Sequence, residues 1–297
     1  MLAEFFIAPQ TPSQTADLIV QCVGLAILTI GGAVMLSQRR FAAFFQLPAQ
    51  PQHQLEPTDI LLGLLAFFWI PSAAMAVLAR TGVVTSMPAS APEGWAPAAT
   101  QVWVGLLGRS LGILLLIAVG VRRFVDGRRG WGLRFDRLPA DIGVATVSYL
   151  AFWPVCAGAV YVTVGIMELL QPGVSFRDHP SIELLRGRDT TQAAALLTMV
   201  DAGLAAPLIE ELFFRGLLQP ALARWWRSPW AAILFCGTAF GAIHYTNVET
   251  VPALALFGVV LGFVYARTRS LTATIALHML FNIKTLVWLW LDRAKDM

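Results

Sequence analysis

Residues 205–218 read AAPLIEELFFRGLL: two glutamates side by side, an arginine one helical turn later, and almost nothing else that is polar. An ionisable side chain at the middle of a bilayer costs about 2.5–3.5 kcal/mol on insertion scales, so a chain that holds Glu210, Glu211 and Arg215 in one oily stretch uses them. Later apolar segments add His244, His278 and Asn282. Several groups that water would hold better have been placed in or beside hydrocarbon, which points to chemistry inside a membrane.

Outward from that stretch the whole chain is apolar. Of its 297 residues 57% are hydrophobic and 13% charged, where a soluble domain carries about a quarter charged residues. A helix of about 20 apolar residues crosses a hydrocarbon core of about 30 Å. The runs predict about eight spans, near 17–37, 58–79, 101–121 and 141–170, then 191 to about 224, 229–247, 250–267 and 271–291. The expected fold is all-α, a polytopic transmembrane helical bundle with its catalytic core in the last four spans. Residues 1–190 read as supporting helices and 191–297 as the core. No internal repeat divides the chain, which counts against a transporter built from inverted halves.

Positive charge collects between Arg122 and Arg137, so that loop is expected in the cytoplasm. The same model puts Arg39, Arg40, Arg224, Arg227, Arg267 and Arg269 on that side and both termini on the other. The net charge of +3 then reflects topology and anionic lipid headgroups, with no basic and aromatic patch for a nucleic acid. The expected location is the cytoplasmic membrane of a bacterium, and the chain does not open like a cleavable signal peptide. Cys22, Cys156 and Cys236 all fall in apolar spans and read as packing residues.

On a helix Glu211 and Arg215 lie four apart and can pair, whereas Glu210 is turned about 100° away. The two carboxylates therefore take different roles: Glu211 is a structural anion, and Glu210 is suited to act as general base on water and then as acid to the leaving amine. Phe240 and His244 are four apart, as are His278 and Asn282, so each pair shares one helix face. His244 could orient the attacking water, and His278 with the Asn282 amide could hold an oxyanion. Glu210, His244 and His278 are equally a sufficient ligand set for catalytic Zn²⁺; the residues alone do not separate the two mechanisms. Any one membrane His or Asn taken alone is most often an interhelical hydrogen-bonding residue; the set is hard to explain as independent packing choices. Arg109, Glu168 and Asp201 could line a cavity, but each is isolated from the set in sequence and reads as structural pairing or snorkelling, and Lys284 reads as reaching for an interface. Gly237 with Gly241, and Gly258 with Gly262, form GxxxG faces that let neighbouring helices approach closely.

Three patterns, EELFFR at 210–215, FGAIH at 240–244 and HMLFN at 278–282, arrive in order with apolar spans between them. In these the chain resembles the CAAX protease and bacteriocin-processing family of intramembrane proteases, also called Abi or the type II CAAX prenyl endopeptidase family. The resemblance covers 191–290. It implies that Glu210 and His244 activate water, that His278 and Asn282 stabilise the oxyanion, and that Glu211, Arg215 and Phe240 support the site. It also implies a membrane-associated or lipidated protein or peptide as substrate. Two other classes compete: a catalytically silent scaffold such as a bacteriocin-immunity protein, and a proton or cation transporter.

Overall fold

The computed structural model describes residues 12–81, 95–176, 180–187 and 190–293; both chain termini lie outside these. Among the described residues there is no strand, and the chain is an all-α polytopic bundle. Seven helices are long and apolar enough to cross a membrane: α1 (Ser13–Ser37), α2 (Pro57–Arg80), α3 (Ala99–Arg123), α4 (Phe135–Leu170), α5 (Gln192–Trp225), α7 (Val251–Thr268) and α8 (Leu271–Leu289). The sixth predicted span, 229–247, is where the structure differs. Its helix α6 covers only Pro229–Ala242, about 21 Å at 1.5 Å per residue, which falls short of a hydrocarbon core. The polar run that follows, HYTNVET at 244–250, forms consecutive turns. Non-helical backbone at membrane depth is tolerated where it lines a cavity, and this run does so.

Three segments of wider, π-type helix interrupt the spans: Leu65–Trp69 in α2, and Asp201–Ala205 and Phe214–Leu218 in α5. Each ends two residues before a proline, Pro71, Pro207 and Pro220 respectively. Proline brings no N–H and its ring crowds the carbonyl a turn before it; a π-bulge makes room for the ring. Carbonyls four or five residues before the proline then lose their helical donors, and side chains from other helices replace them. Asn282 Nδ2 donates to Ala202 O at 2.7 Å, and the buried Trp131 Nε1 donates to Gly216 O at 2.7 Å.

Close approach of α6 and α7 builds the far wall of the core, where each GxxxG face finds the close neighbour it predicts. A Cβ on Gly258 would lie 2.7 Å from Gly237 Cα, and one on Gly241 2.7 Å from Ala255 Cβ. With no side chain in the way, the α7 carbonyls face α5: Arg215 Nη2 donates to Gly258 O at 2.8 Å and Gln219 Nε2 to Gly262 O at 2.9 Å. The glycines therefore do more than close a gap, since they expose two acceptors to the charged helix.

One end of the bundle is tied by the segment 46–55. Gln54 N donates to Arg123 O, Val125 N to Gln52 O, Arg267 to Gln46 O, and Arg224 to the carbonyls of His53 and Leu55. Leu271 N also bonds Gly132 O. These bonds gather Arg123, Arg224 and Arg267 at a single end, in keeping with the expected grouping of basic loops. Helix α1 is attached differently. Its Asp17 meets Lys284 of α8 at 2.6 Å, and the ammonium lies 3.5 Å from the centre of the Trp153 ring. Lys284, expected to reach for an interface, instead pairs between helices; the residue it meets lies 267 positions away, so no local pattern marks the pair. Glu168 ends in a local role, accepting from Gly173 N at 3.1 Å.

Candidate active site

Helix α5 carries both glutamates, and its geometry separates them as the 100° offset requires. Glu211 and Arg215 are fully buried, and Arg215 Nη1 donates to Glu211 Oε1 at 2.8 Å. The same Oε1 is 2.9 Å from His278 Nδ1. A carboxylate in this pair can only accept, so Nδ1 carries the proton and Nε2 is turned the other way. There it lies 3.7 Å from Glu210 Oε2. That separation is too long for a direct hydrogen bond and short enough for one water to touch both atoms. Glu210 Oε2 is itself buried and has no protein hydrogen-bonding partner among the described residues.

His244 stands just past the end of α6, so it does not share a regular helix face with Phe240 as expected, yet the one-turn relation survives. Its Nδ1 lies 2.8 Å from Phe240 O; a carbonyl accepts only, so Nδ1 is the protonated nitrogen and Nε2 keeps its lone pair. Phe240 is packed on three sides of this chemistry. Its ring centre is 4.9 Å from the Arg215 guanidinium carbon, 5.1 Å from the His244 ring and 5.4 Å from the His278 ring. The phenyl thus packs against the Arg215 guanidinium and both imidazoles.

Glu210, His244, His278 and Asn282 all line one cavity of about 460 Å³. The sequence places His278 about 10 Å along α8 from its start and His244 well beyond that distance from the start of α6. They meet because α6 is short and its trailing turns fold into the cavity wall. Asn282 is there too, but one N–H of its amide is committed to Ala202 O. Asn247, Glu249, Thr250 and Thr285 join the lining; the interrupted apolar run at 244–250 is the sequence signal that marks the first three. Arg109 and Asp201, read from sequence as structural, bond each other at 2.6 Å and line the same cavity. Cys156 is a wall residue with no base beside it in the hydrogen bonds described.

Zinc would need three protein ligands converging at about 2.0–2.2 Å. Among the described residues no three His, Cys, Asp or Glu side chains are placed to hold a metal ion. Glu210, His244 and His278 do not fit as a zinc triad in this geometry.

Fold and site define a class: a multi-pass membrane protein with a carboxylate and histidine centre sunk in its helical bundle. Residues 192–284 match the family model of the Rce1-like proteins, described as type II CAAX prenyl endopeptidase Rce1-like. The match runs from α5 into α8 and is consistent with the CAAX protease and bacteriocin-processing proteins. The match supports a CAAX-protease-type intramembrane endopeptidase in general. Comparison with curated proteins found no match, and neither did comparison with solved structures.

Proposed function

We propose that this protein is a glutamate-dependent intramembrane endopeptidase of the bacterial cytoplasmic membrane, acting on a lipidated or otherwise membrane-associated protein near its C-terminus. The observation that carries this reading is the buried Glu210 Oε2, without a partner among the described residues, facing His278 Nε2 across a 3.7 Å gap that one water can bridge, in a cavity that also holds His244. A water in that gap gives one proton to Glu210 while its oxygen adds to the substrate carbonyl carbon. His244 Nε2 accepts from the other O–H of the water and orients it. His278, its ring oriented by Glu211, faces the oxyanion with Nε2, joined by the second N–H of Asn282. The C–N bond breaks as Glu210 returns its proton to the leaving amine. Glu211 and Arg215 never meet substrate; they fix the His278 ring. In this division residues 191–297 carry the chemistry, with 1–190 holding the bundle around it.

The test is cleavage of a farnesylated peptide ending Cys-Val-Ile-Met by the purified protein in nanodiscs, with and without o-phenanthroline. Release of Val-Ile-Met that survives the chelator and is lost in Glu210→Gln is the expected result. No release from the wild type overturns the substrate reading, and chelator-sensitive release overturns the metal-free mechanism.

A further inference from the structure

The cavity is also lined by an ion pair that the proposed mechanism does not use. Arg109 of α3 donates to Asp201 of α5 at 2.6 Å. It comes from outside the segment that matches the family model. Among the described residues lining the cavity Arg109 is the sole arginine or lysine, against the carboxylates of Asp201, Glu210 and Glu249.

Two comparisons separate this pair from an ordinary structural one. Glu211 and Arg215 are each 0% exposed, whereas the Arg109 and Asp201 side chains are 27% and 22% exposed. The first pair is sealed and the second opens on the cavity. Helical phase gives the other comparison. Nine residues of regular α-helix would turn Asp201 about 180° from Glu210, to the opposite face. The π-bulge at Asp201–Ala205 takes up one residue of phase and reduces that to about 80°, so both carboxylates reach one cavity. Asp201 in turn holds the Arg109 guanidinium there. A guanidinium has five N–H donors in a rigid fork that matches a carboxylate, and the bond to Asp201 uses one.

We infer that Arg109, held by Asp201, is the anchor for the free C-terminal carboxylate of the substrate. The spacing fits a short leaving segment. Asp201 and Glu210 are separated by roughly 13 Å along α5. An extended chain covers about 3.3–3.6 Å per residue, so a carboxylate at Arg109 lies about three or four residues beyond a bond attacked at Glu210. The site then measures from the end of the chain, and selects a substrate by where it stops. This inference rests on the proposed peptidase reading, and its test is arranged so that the two fail separately.

Two peptides are compared, both farnesylated and ending Cys-Val-Ile-Met, one with a free acid and one with a C-terminal amide. In nanodiscs the wild type is expected to show a KM about 10- to 100-fold higher for the amide, the range for charge-assisted hydrogen bonds, with kcat changed far less. Arg109→Gln should raise KM for the acid to the level of the amide, and Arg109→Lys should restore part of the difference. Equal KM values for acid and amide in the wild type overturn the inference even where cleavage is robust, and need no variant to fold. Calorimetric titration of the tripeptide Val-Ile-Met, as acid and as amide, reads the same site without turnover. If the wild type cleaves neither peptide the substrate reading falls, and the titration still decides: tighter binding of the acid, lost in Arg109→Gln, upholds the carboxylate site, and equal binding of acid and amide overturns it.

Discussion

Glu210 and Glu211 are neighbours in sequence and belong to opposite sides of one boundary. Behind it, Glu211 Oε1, Arg215, His278 Nδ1 and the Gly258 carbonyl bond one another, although Glu211 Oε2 and Arg215 Nε are buried there without a hydrogen-bonding partner among the described residues. In front of it, Glu210 Oε2 has no partner among the described residues, the Arg109–Asp201 pair is partly open, and part of the wall is made of turns. The closed side costs desolvation that its internal bonds offset, and in return it fixes one imidazole. The open side keeps its polar atoms available for water and substrate. One helical step of about 100° is enough to change which side a carboxylate serves.

The sharpest way to break this comparison is to neutralise each glutamate in turn. Glu210→Gln should lower turnover by about 100- to 10,000-fold, the usual range for a general acid or base, while the thermal midpoint stays that of the wild type. Glu211→Gln should act first on stability. It leaves the fully buried Arg215 without its carboxylate, and removing one partner of such a pair costs about 3–5 kcal/mol. A lower midpoint in the same detergent checks it. If Glu210→Gln destabilises as much as Glu211→Gln, the boundary drawn between them is not there.

Asn282 sits on the boundary and probes it more gently. Asn282→Ala leaves Ala202 O without its donor at a π-bulge, a loss of about 1–3 kcal/mol for a buried polar group. It also removes the N–H proposed for the oxyanion. A fall in kcat with KM held means that the transition-state role dominates. A rise in KM for the free-acid peptide alone means that the amide acts through the bulge, by keeping Asp201 and Arg109 in phase with Glu210. The two outcomes are read from one set of kinetic curves.

Much of this was legible in residue types and spacing. Long apolar runs gave the spans, and an i to i+4 offset was enough to pair Glu211 with Arg215 and to leave Glu210 apart. The GxxxG pairs foretold close approach of a neighbouring helix to α6 and to α7, although not that the two would meet each other or offer carbonyls to Arg215 and Gln219. Two things could not be read this way. A π-bulge changes helical phase by one residue, so regular periodicity does not bring Asp201 to the cavity of Glu210, and only the recurrence of proline after each bulge hints at it. Long-range pairs such as Arg109 with Asp201, or Lys284 with Asp17, join residues whose local sequences say nothing of each other. The early end of α6 had a signal in the polar run at 244–250, and a uniform span length conceals it.

The smallest expected effect lies farthest from the cavity, at the tied end of the bundle. His53 Nε2 is 3.1 Å from Pro220 O and its Nδ1 accepts from Leu55 N at 3.3 Å, so the neutral ring with its proton on Nε2 satisfies both contacts. Burial holds its pKa below the ordinary 6.5, with the Arg224 charge acting in the same direction and the Pro220 carbonyl opposing. A group that is harder to protonate when folded than when unfolded contributes stability that is present above pH 6.5 and is lost as pH falls through its lowered folded value. Protonation would also put a donor where Leu55 N–H now points. The unfolding midpoint should therefore drop slightly between pH 7 and the acid side of that window, and His53→Gln should flatten this part of the profile. Because 46–55 ties loops at the end of α3, α5 and α7, and none of those residues lines the cavity, cleavage by the folded protein should keep the same KM in His53→Gln as in wild type. A matching shift of KM in that variant would mean that the tied end and the cavity move together, and that the division between a sealed frame and an open site does not extend along the bundle.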